Sequence, residues 1–242
     1  MAVYGTFVSA TGEALEKALW PTQGAPRGVV QFVHGMAEHI RRYDAAAQAL
    51  NAAGYAVVGH THAGHGEKAR QLGYFADKDG WDALISDGHF ERPVVAAGRA
   101  VARLQCAFGG ARKPAKLVEK LSSSGYNQGY EDPQTPFDWL SRDREVVAAY
   151  IADPYCGFTF TARAYDDMFE GLSRLYPDRL GAMEKDIPVY LFSGDRDPVG
   201  GHGKGVELVA RELREAGVRD VTVRLYPGGR HEMFNEINRE EV

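Results

Sequence analysis

Three stretches of this sequence place glycine beside an imidazole, a carboxylate or both where an apolar run ends. The first is His34-Gly35-Met36-Ala37-Glu38-His39, after the β-branched run from Gly28 to Val33. The second is Gly194-Asp195-Arg196-Asp197-Pro198-Val199, after Ile187 to Phe192. The third is Gly228-Gly229-Arg230-His231-Glu232, after Val221 to Tyr226. In open parallel sheets, reacting groups collect beyond the carboxyl ends of the strands. An acid after one strand and a histidine after the next form the back half of a Ser…Asp…His order. The histidine serves as general base, and the acid fixes its tautomer and steadies the imidazolium. Asp197 is preferred to Asp195 because it precedes Pro198-Val199 at the loop apex. Alone, Asp197 reads equally well as a turn carboxylate and His231 as a hydrogen-bonded loop histidine; their joint placement favours a catalytic pair. In the first stretch, Gly35 lets the backbone turn sharply after His34. Amides of that turn then point into a cleft, where they could hold a developing oxyanion. A plain strand-to-helix turn explains His34-Gly35 by itself.

These residues need strands and helices to hold them. Tyr4 to Ser9 and Ala14 to Trp20 read as a hairpin around Thr11-Gly12, with a loop from Pro21 to Arg27. A buried strand at Val29 to Val33 leads into a helix over Arg42 to Ala53 that stops at Gly54. Tyr55 to Gly59 is a second buried strand. A helix begins over Asp79 to Asp87, and from Gly88 to Lys185 the pattern is helices and loops without a strand. Val206, Val209, Ala210 and Leu213 form one apolar helix face between the last two strands, closed by Gly217. Strands alternating with helices predict an α/β protein with a doubly wound, mostly parallel sheet.

Composition bounds the rest. The chain has 242 residues, 44% hydrophobic and 25% charged, which suits one soluble α/β domain with a helical insertion. The net charge of −5, without a lysine or arginine block, argues against nucleic acid. No apolar run approaches the span of a bilayer, and the start Met-Ala-Val-Tyr-Gly-Thr-Phe lacks a signal-peptide pattern, so the expected location is cytoplasmic. Two cysteines, Cys106 and Cys156, make no disulfide framework.

The chain resembles the monoacylglycerol lipase and lysophospholipase branch of the α/β-hydrolases. The carrying segments are His34 to His39 with Arg42-Tyr43, then Gly64-His65-Gly66, Phe75-Ala76-Asp77 and Thr135-Pro136-Phe137-Asp138-Trp139-Leu140-Ser141-Arg142-Asp143. Asp153-Pro154-Tyr155-Cys156-Gly157-Phe158, Gly194 to Val199 and Tyr226 to Glu232 complete it. The resemblance implies an ester hydrolase that works through a Ser-His-Asp acyl-enzyme without a cofactor or metal. It makes Asp197 the acid, His231 the base and the Met36 N–H an oxyanion donor, with His34 and Gly35 supporting. It divides the chain into core (1–87), helical cap (88–185) and core (186–242). The expected partner is a small acyl ester or lysolipid, and the cap leaves room for transient contact with a membrane surface.

One departure stands out. The family's nucleophile sits in Gly-x-Ser-x-Gly on a strand-to-helix elbow, and no such sequence is present. The eight serines are Ser9, Ser86, Ser122, Ser123, Ser124, Ser141, Ser173 and Ser193, none of them in an elbow pattern. The chain passes from Ile85-Ser86-Asp87 straight into Gly88-His89-Phe90, where the family has a strand, the elbow helix and a further strand. A βαβ unit takes ~30 residues, so a whole unit is missing between Asp87 and Gly88, and two half-sheets with open edges are expected. The family pattern also continues past Val242 into a final helix. The nucleophile is therefore unassigned, and turnover by this chain is expected to be lost.

Two other classes compete. A catalytically inactive acyl binder would use an apolar pocket lined by Phe158, Phe160, Tyr165, Met168, Phe169 and Leu172, although at helical spacing such stripes are usually core. A zinc hydrolase would use His60-x-His62-x-x-His65, whose spacing imitates a metallo-β-lactamase loop with Gly64 at the aspartate position.

Overall fold

A computed structural model of the protein describes residues 1–9, 12–77, 92–174 and 183–242, with the backbone alone for 92–95. The helix expected over Asp79 to Asp87 and the Asp87–Gly88 junction lie outside the described residues. The chain divides into two compact units, Met1–Ser86 with Arg99–Lys116 and Asp153–Met168, and Asp87–Gly98 with Leu117–Ala152 and Phe169–Val242.

The first unit holds a four-stranded sheet in the order β1-β2-β4-β3, from β1 (Val3–Val8), β2 (Ala14–Trp20), β3 (Gly28–Val33) and β4 (Tyr55–His60). The predicted hairpin pairs Val3 with Leu19 through Val8 with Ala14. β2 also runs antiparallel to β4, whereas β3 and β4 are parallel, with Gly28 opposite Tyr55 and Val33 opposite His60. A parallel pair needs a crossover, supplied by a 3-10 turn (Ile40–Tyr43) and α1 (Asp44–Ala52). Trp20, fully buried on β2, donates its indole N–H to Asp44 Oδ1 at 2.7 Å. An aromatic of ~200 Å² buried at ~25 cal/mol/Å² contributes about 5 kcal/mol. That one side chain therefore fastens the hairpin to the start of the crossover.

β3 differs from the expected fully buried strand. Phe32 is buried, but Val29 is 65% exposed and Val33 46%. Among the described residues β3 is the last strand of its sheet and is paired on one side alone, and the face carrying Val29, Gln31 and Val33 is accessible.

The second unit holds a two-stranded parallel sheet, β5 (Val189–Gly194) and β6 (Val221–Tyr226), with Val189 opposite Val221 and Gly194 opposite Tyr226. β5 begins two residues later than the apolar run, because Pro188 has no N–H to give a ladder. Among the described residues, the stretch expected to be helical holds four α-helices, α2 (Arg92–Gln105), α3 (Lys116–Ser123), α4 (Arg144–Ala152) and α5 (Ala162–Leu172), and a π-helical turn at Cys106–Gly110. Among its described residues, the sole extended pairing is a bridge between Pro114 and Thr161. α6 (Lys204–Glu215) links β5 to β6 and buries Ala210 and Leu213, two of the four predicted face residues. No helix among the described residues is long and apolar enough to cross a membrane.

Candidate active site

The turns after β5 and β6 bring Asp197 and His231 together. His231 Nδ1 lies 3.2 Å from Asp197 Oδ1, so the imidazole donates there and its other nitrogen faces away from the acid. Asp197 is buried, while the His231 side chain is 37% exposed. The carboxylate also accepts from the Val199 N–H at 2.9 Å and the Ser193 hydroxyl at 3.3 Å. Burial pushes the Asp197 carboxyl upward, but His231 and the Val199 and Gly200 amides outweigh it and hold the group below the usual carboxylate value. Asp195 instead accepts from the Gly228 N–H at 2.7 Å and braces the turn. A stable carboxylate on Nδ1 of a half-exposed imidazole is the arrangement of a general base with its orienting acid.

Tight backbone packing sets this geometry. A Cβ on Gly194 would stand 2.0 Å from the Gly229 carbonyl oxygen, so only glycine lets the end of β5 lie against the histidine turn. Further supports were not read from the sequence. Trp139 stands 5.1 Å from His231, ring centre to ring centre, and its carbonyl accepts from the His231 N–H at 3.3 Å. Glu236 is fully buried, yet its carboxylate takes Arg142 Nε at 2.9 Å and the amides of Arg142, Arg230 and Ile237 at 3.1, 2.9 and 2.9 Å. Arg230 in turn donates to the carbonyls of Asp138 and Ser141. Glu236 and Arg142 are 94 residues apart, and Glu236 sits in a polar tail that looks like surface. The local pattern carried no signal for the pair.

His34, Gly35 and Met36 belong to the first unit. The Gly35 N–H donates to Glu38 Oε1 at 2.6 Å, and the Ala37 N–H donates to His65 Nε2 at 3.3 Å. Between them, the Met36 N–H donates to no group among the described residues. His34 is fixed rather than reactive: Nδ1 donates to the Gly35 carbonyl at 2.8 Å, and Nε2 accepts from the His62 N–H at 2.9 Å. His65 has the same tautomer, with Nδ1 on the Ala63 carbonyl at 2.9 Å. Burial and neighbouring imidazoles push His34 well below its ordinary value, and burial takes His62 and His65 down to about 4. Gly64, at φ 71° with the Tyr74 carbonyl 2.6 Å from a would-be Cβ, permits the turn between them.

His60, His62 and His65 do not converge as a zinc set: their ring nitrogens do not all lie within 4.8 Å of one another, and both nitrogens of His65 are spent on backbone groups. Phe160 and Tyr165 are buried side by side at 5.7 Å, and Phe160 packs edge-on to Phe75 and His65. Phe169 and Leu172 are buried as well. Of the serines, Ser193 bonds to the acid rather than to the histidine, Ser141 donates to the Asn235 carbonyl and Ser122 and Ser123 to that of Glu119. Ser86 lies outside the described residues.

The sequence matches the family described as serine aminopeptidase, S33, over residues 24–90 and 90–238. The chain belongs to that family. This S33 chain is 30% identical to a monoacylglycerol lipase of Mycolicibacterium smegmatis over 268 residues, covering 98% of the chain and 92% of the relative. A thermostable carboxyl esterase from Bacillus coagulans, solved with glycerol, superimposes with a TM-score of 0.86 at 25% identity, covering 99% of this chain and 94% of that one. A monoglyceride lipase variant from Saccharomyces cerevisiae reaches 0.66 at 19% identity, covering 99% and 91%, and supports the fold alone. The fold is that of the α/β-hydrolases, and the S33 chain is a monoacylglycerol lipase-like member.

Proposed function

We propose that this chain carries the acid–base half of a carboxylic-ester hydrolase of the monoacylglycerol lipase and lysophospholipase kind, and lacks the nucleophile. His231 would move the proton, Asp197 would orient it, and the Met36 N–H would hold the oxyanion. The stretch 88–185 would supply the cap over a small acyl ester or lysolipid. The observation that carries the reading is the buried Asp197 carboxylate on Nδ1 of a half-exposed His231. Two findings support a missing unit. The family match is in two stretches that meet at residue 90, beside the Asp87–Gly88 junction. The stretch aligned with the M. smegmatis lipase, 268 residues, is longer than the 242-residue chain, so the relative carries residues without a counterpart here.

The test pairs the chain with a chimera in which a strand–elbow–strand segment from an active relative is inserted between Asp87 and Gly88. With short and long p-nitrophenyl esters, the chain itself should give no turnover and take no label from a serine-directed phosphonate. The chimera should turn over and be labelled, and His231→Ala should silence it. Labelling and hydrolysis by the unaltered chain would overturn the missing nucleophile. A chimera that folds, is labelled and keeps its activity in His231→Ala would overturn the assignment of the base.

A further inference from the structure

Away from the Asp197–His231 pair, the first unit gathers an imidazole, a carboxylate and a thiol at one point. One ligand atom each from His39, Asp153 and Cys156 all lie within 4.8 Å of one another, the one such group of three among the described residues. His39 Nε2 and Asp153 Oδ2 are 2.8 Å apart. His39 is buried, and Asp153 and Cys156 are half-buried. Neither cysteine is in a disulfide.

Local structure holds the three in place. His39 ends the turn that follows β3, in extended conformation ahead of the Ile40–Tyr43 turn. Asp153 follows α4, and its Oδ1 accepts from the Tyr155 N–H at 2.8 Å while its carbonyl accepts from the Cys156 N–H at 3.1 Å. This tight turn presents the Asp153 and Cys156 side chains together. The Gly157 N–H then donates to the Ala37 carbonyl at 2.9 Å and lays the turn against the His39 segment. Burial pushes the Asp153 carboxyl upward, but the Tyr155 amide, His39 and the Arg42 charge outweigh it, so the group is a carboxylate. Arg42 is itself held by Glu38 at 2.6 Å, which offsets its charge.

We propose that His39, Asp153 and Cys156 form a three-donor site for a divalent transition metal of the zinc class. Nitrogen, oxygen and sulfur together match the borderline-soft cations and not calcium or magnesium, which take oxygen. Three protein ligands leave one tetrahedral position for water. Binding converts the Cys156 thiol to a thiolate and releases its proton, and the two anionic ligands balance the 2+ charge. The site is a clip: it ties positions 39 and 153, separated by 114 residues, and closure of so long a loop restricts the unfolded chain strongly. The sequence hides the site because two donors share one turn and the third lies on a distant one.

Cobalt(II) is the probe, added to chelator-treated protein. The expected result is one equivalent bound, a near-ultraviolet thiolate-to-cobalt band, displacement by zinc, and a thermal midpoint raised by either metal. Cys156→Ser, a conservative exchange, should abolish the band and weaken zinc binding by at least ~10-fold, the lower end of what outer-shell changes alone cost. Cys106→Ser should keep both. Near-ultraviolet circular dichroism of the metal-free variants reports whether they remain folded, and a dye titration should show Cys156-dependent proton release in the parent alone. No band in the parent, a band that survives Cys156→Ser, or one that needs Cys106 or His60 instead would overturn the proposal.

Discussion

His231 and two histidines of the first unit, His34 and His65, sit on similar strand-end turns and are held in opposite ways. His34 and His65 spend both ring nitrogens on backbone groups and are buried. They are pieces of scaffold, neutral because burial makes their protonation costly. His231 gives one nitrogen to a carboxylate and keeps its ring half exposed. An imidazole does chemistry where an anion can steady its charged form and solvent or substrate can reach it. Spacing and residue type do not separate these histidines; the partner on Nδ1 does, a carbonyl for His34 and His65 and a carboxylate for His231.

The sharpest way to break this contrast is to remove the carboxylate. In the elbow-restored chimera, Asp197→Asn should lower kcat on the order of 10⁴-fold, as loss of the orienting acid does in serine hydrolases. Steady-state ester hydrolysis reads it, and a loss under tenfold would make Asp197 a mere turn brace. Next in size is the support of the histidine turn. Glu236→Ala leaves Arg142 and three amides without their anion, and urea unfolding should show a loss of about 3–5 kcal/mol.

Acid sharpens the other side of the comparison. His62 and His65 titrate near 4 in the folded chain and near 6.5 when unfolded. Between those values the unfolded chain binds more protons, so their stabilising contribution is complete above about pH 6.5 and is lost as pH falls toward 4. For the fully enclosed His65 the loss approaches about 3 kcal/mol. Asp197, with its carboxyl held below the usual carboxylate value, acts lower still, so it does not blur that window. Chemical unfolding at pH 7, 5.5 and 4.5 measures the slope, and a flat profile would mean the cluster is hydrated. Smallest of all, Val29→Thr on the accessible face of β3 should change stability by no more than ~0.5 kcal/mol.

Much of the frame was legible in the sequence. β1, β2, β4 and β6 match their predicted stretches within two residues because each is a β-branched or alternating run bounded by turn residues. Asp197 and His231 could be paired in advance because both follow strands of one parallel sheet, which fixes the end at which they emerge. What stayed hidden depends on partners distant in sequence. Glu236 looks like a surface acid until Arg142 is beside it, and β3 looks buried until its sheet is seen to end there.

The Gly194–Gly229 contact has a consequence for any attempt to vary this protein. With a carbonyl oxygen 2.0 Å from where the first side-chain carbon would go, position 194 admits one residue regardless of polarity or charge. Alanine there would displace the backbone two steps from His231, and the base would swing off its acid with every reacting group still present. A library built around the pair can vary the aromatic wall, but it has to hold one hydrogen atom constant.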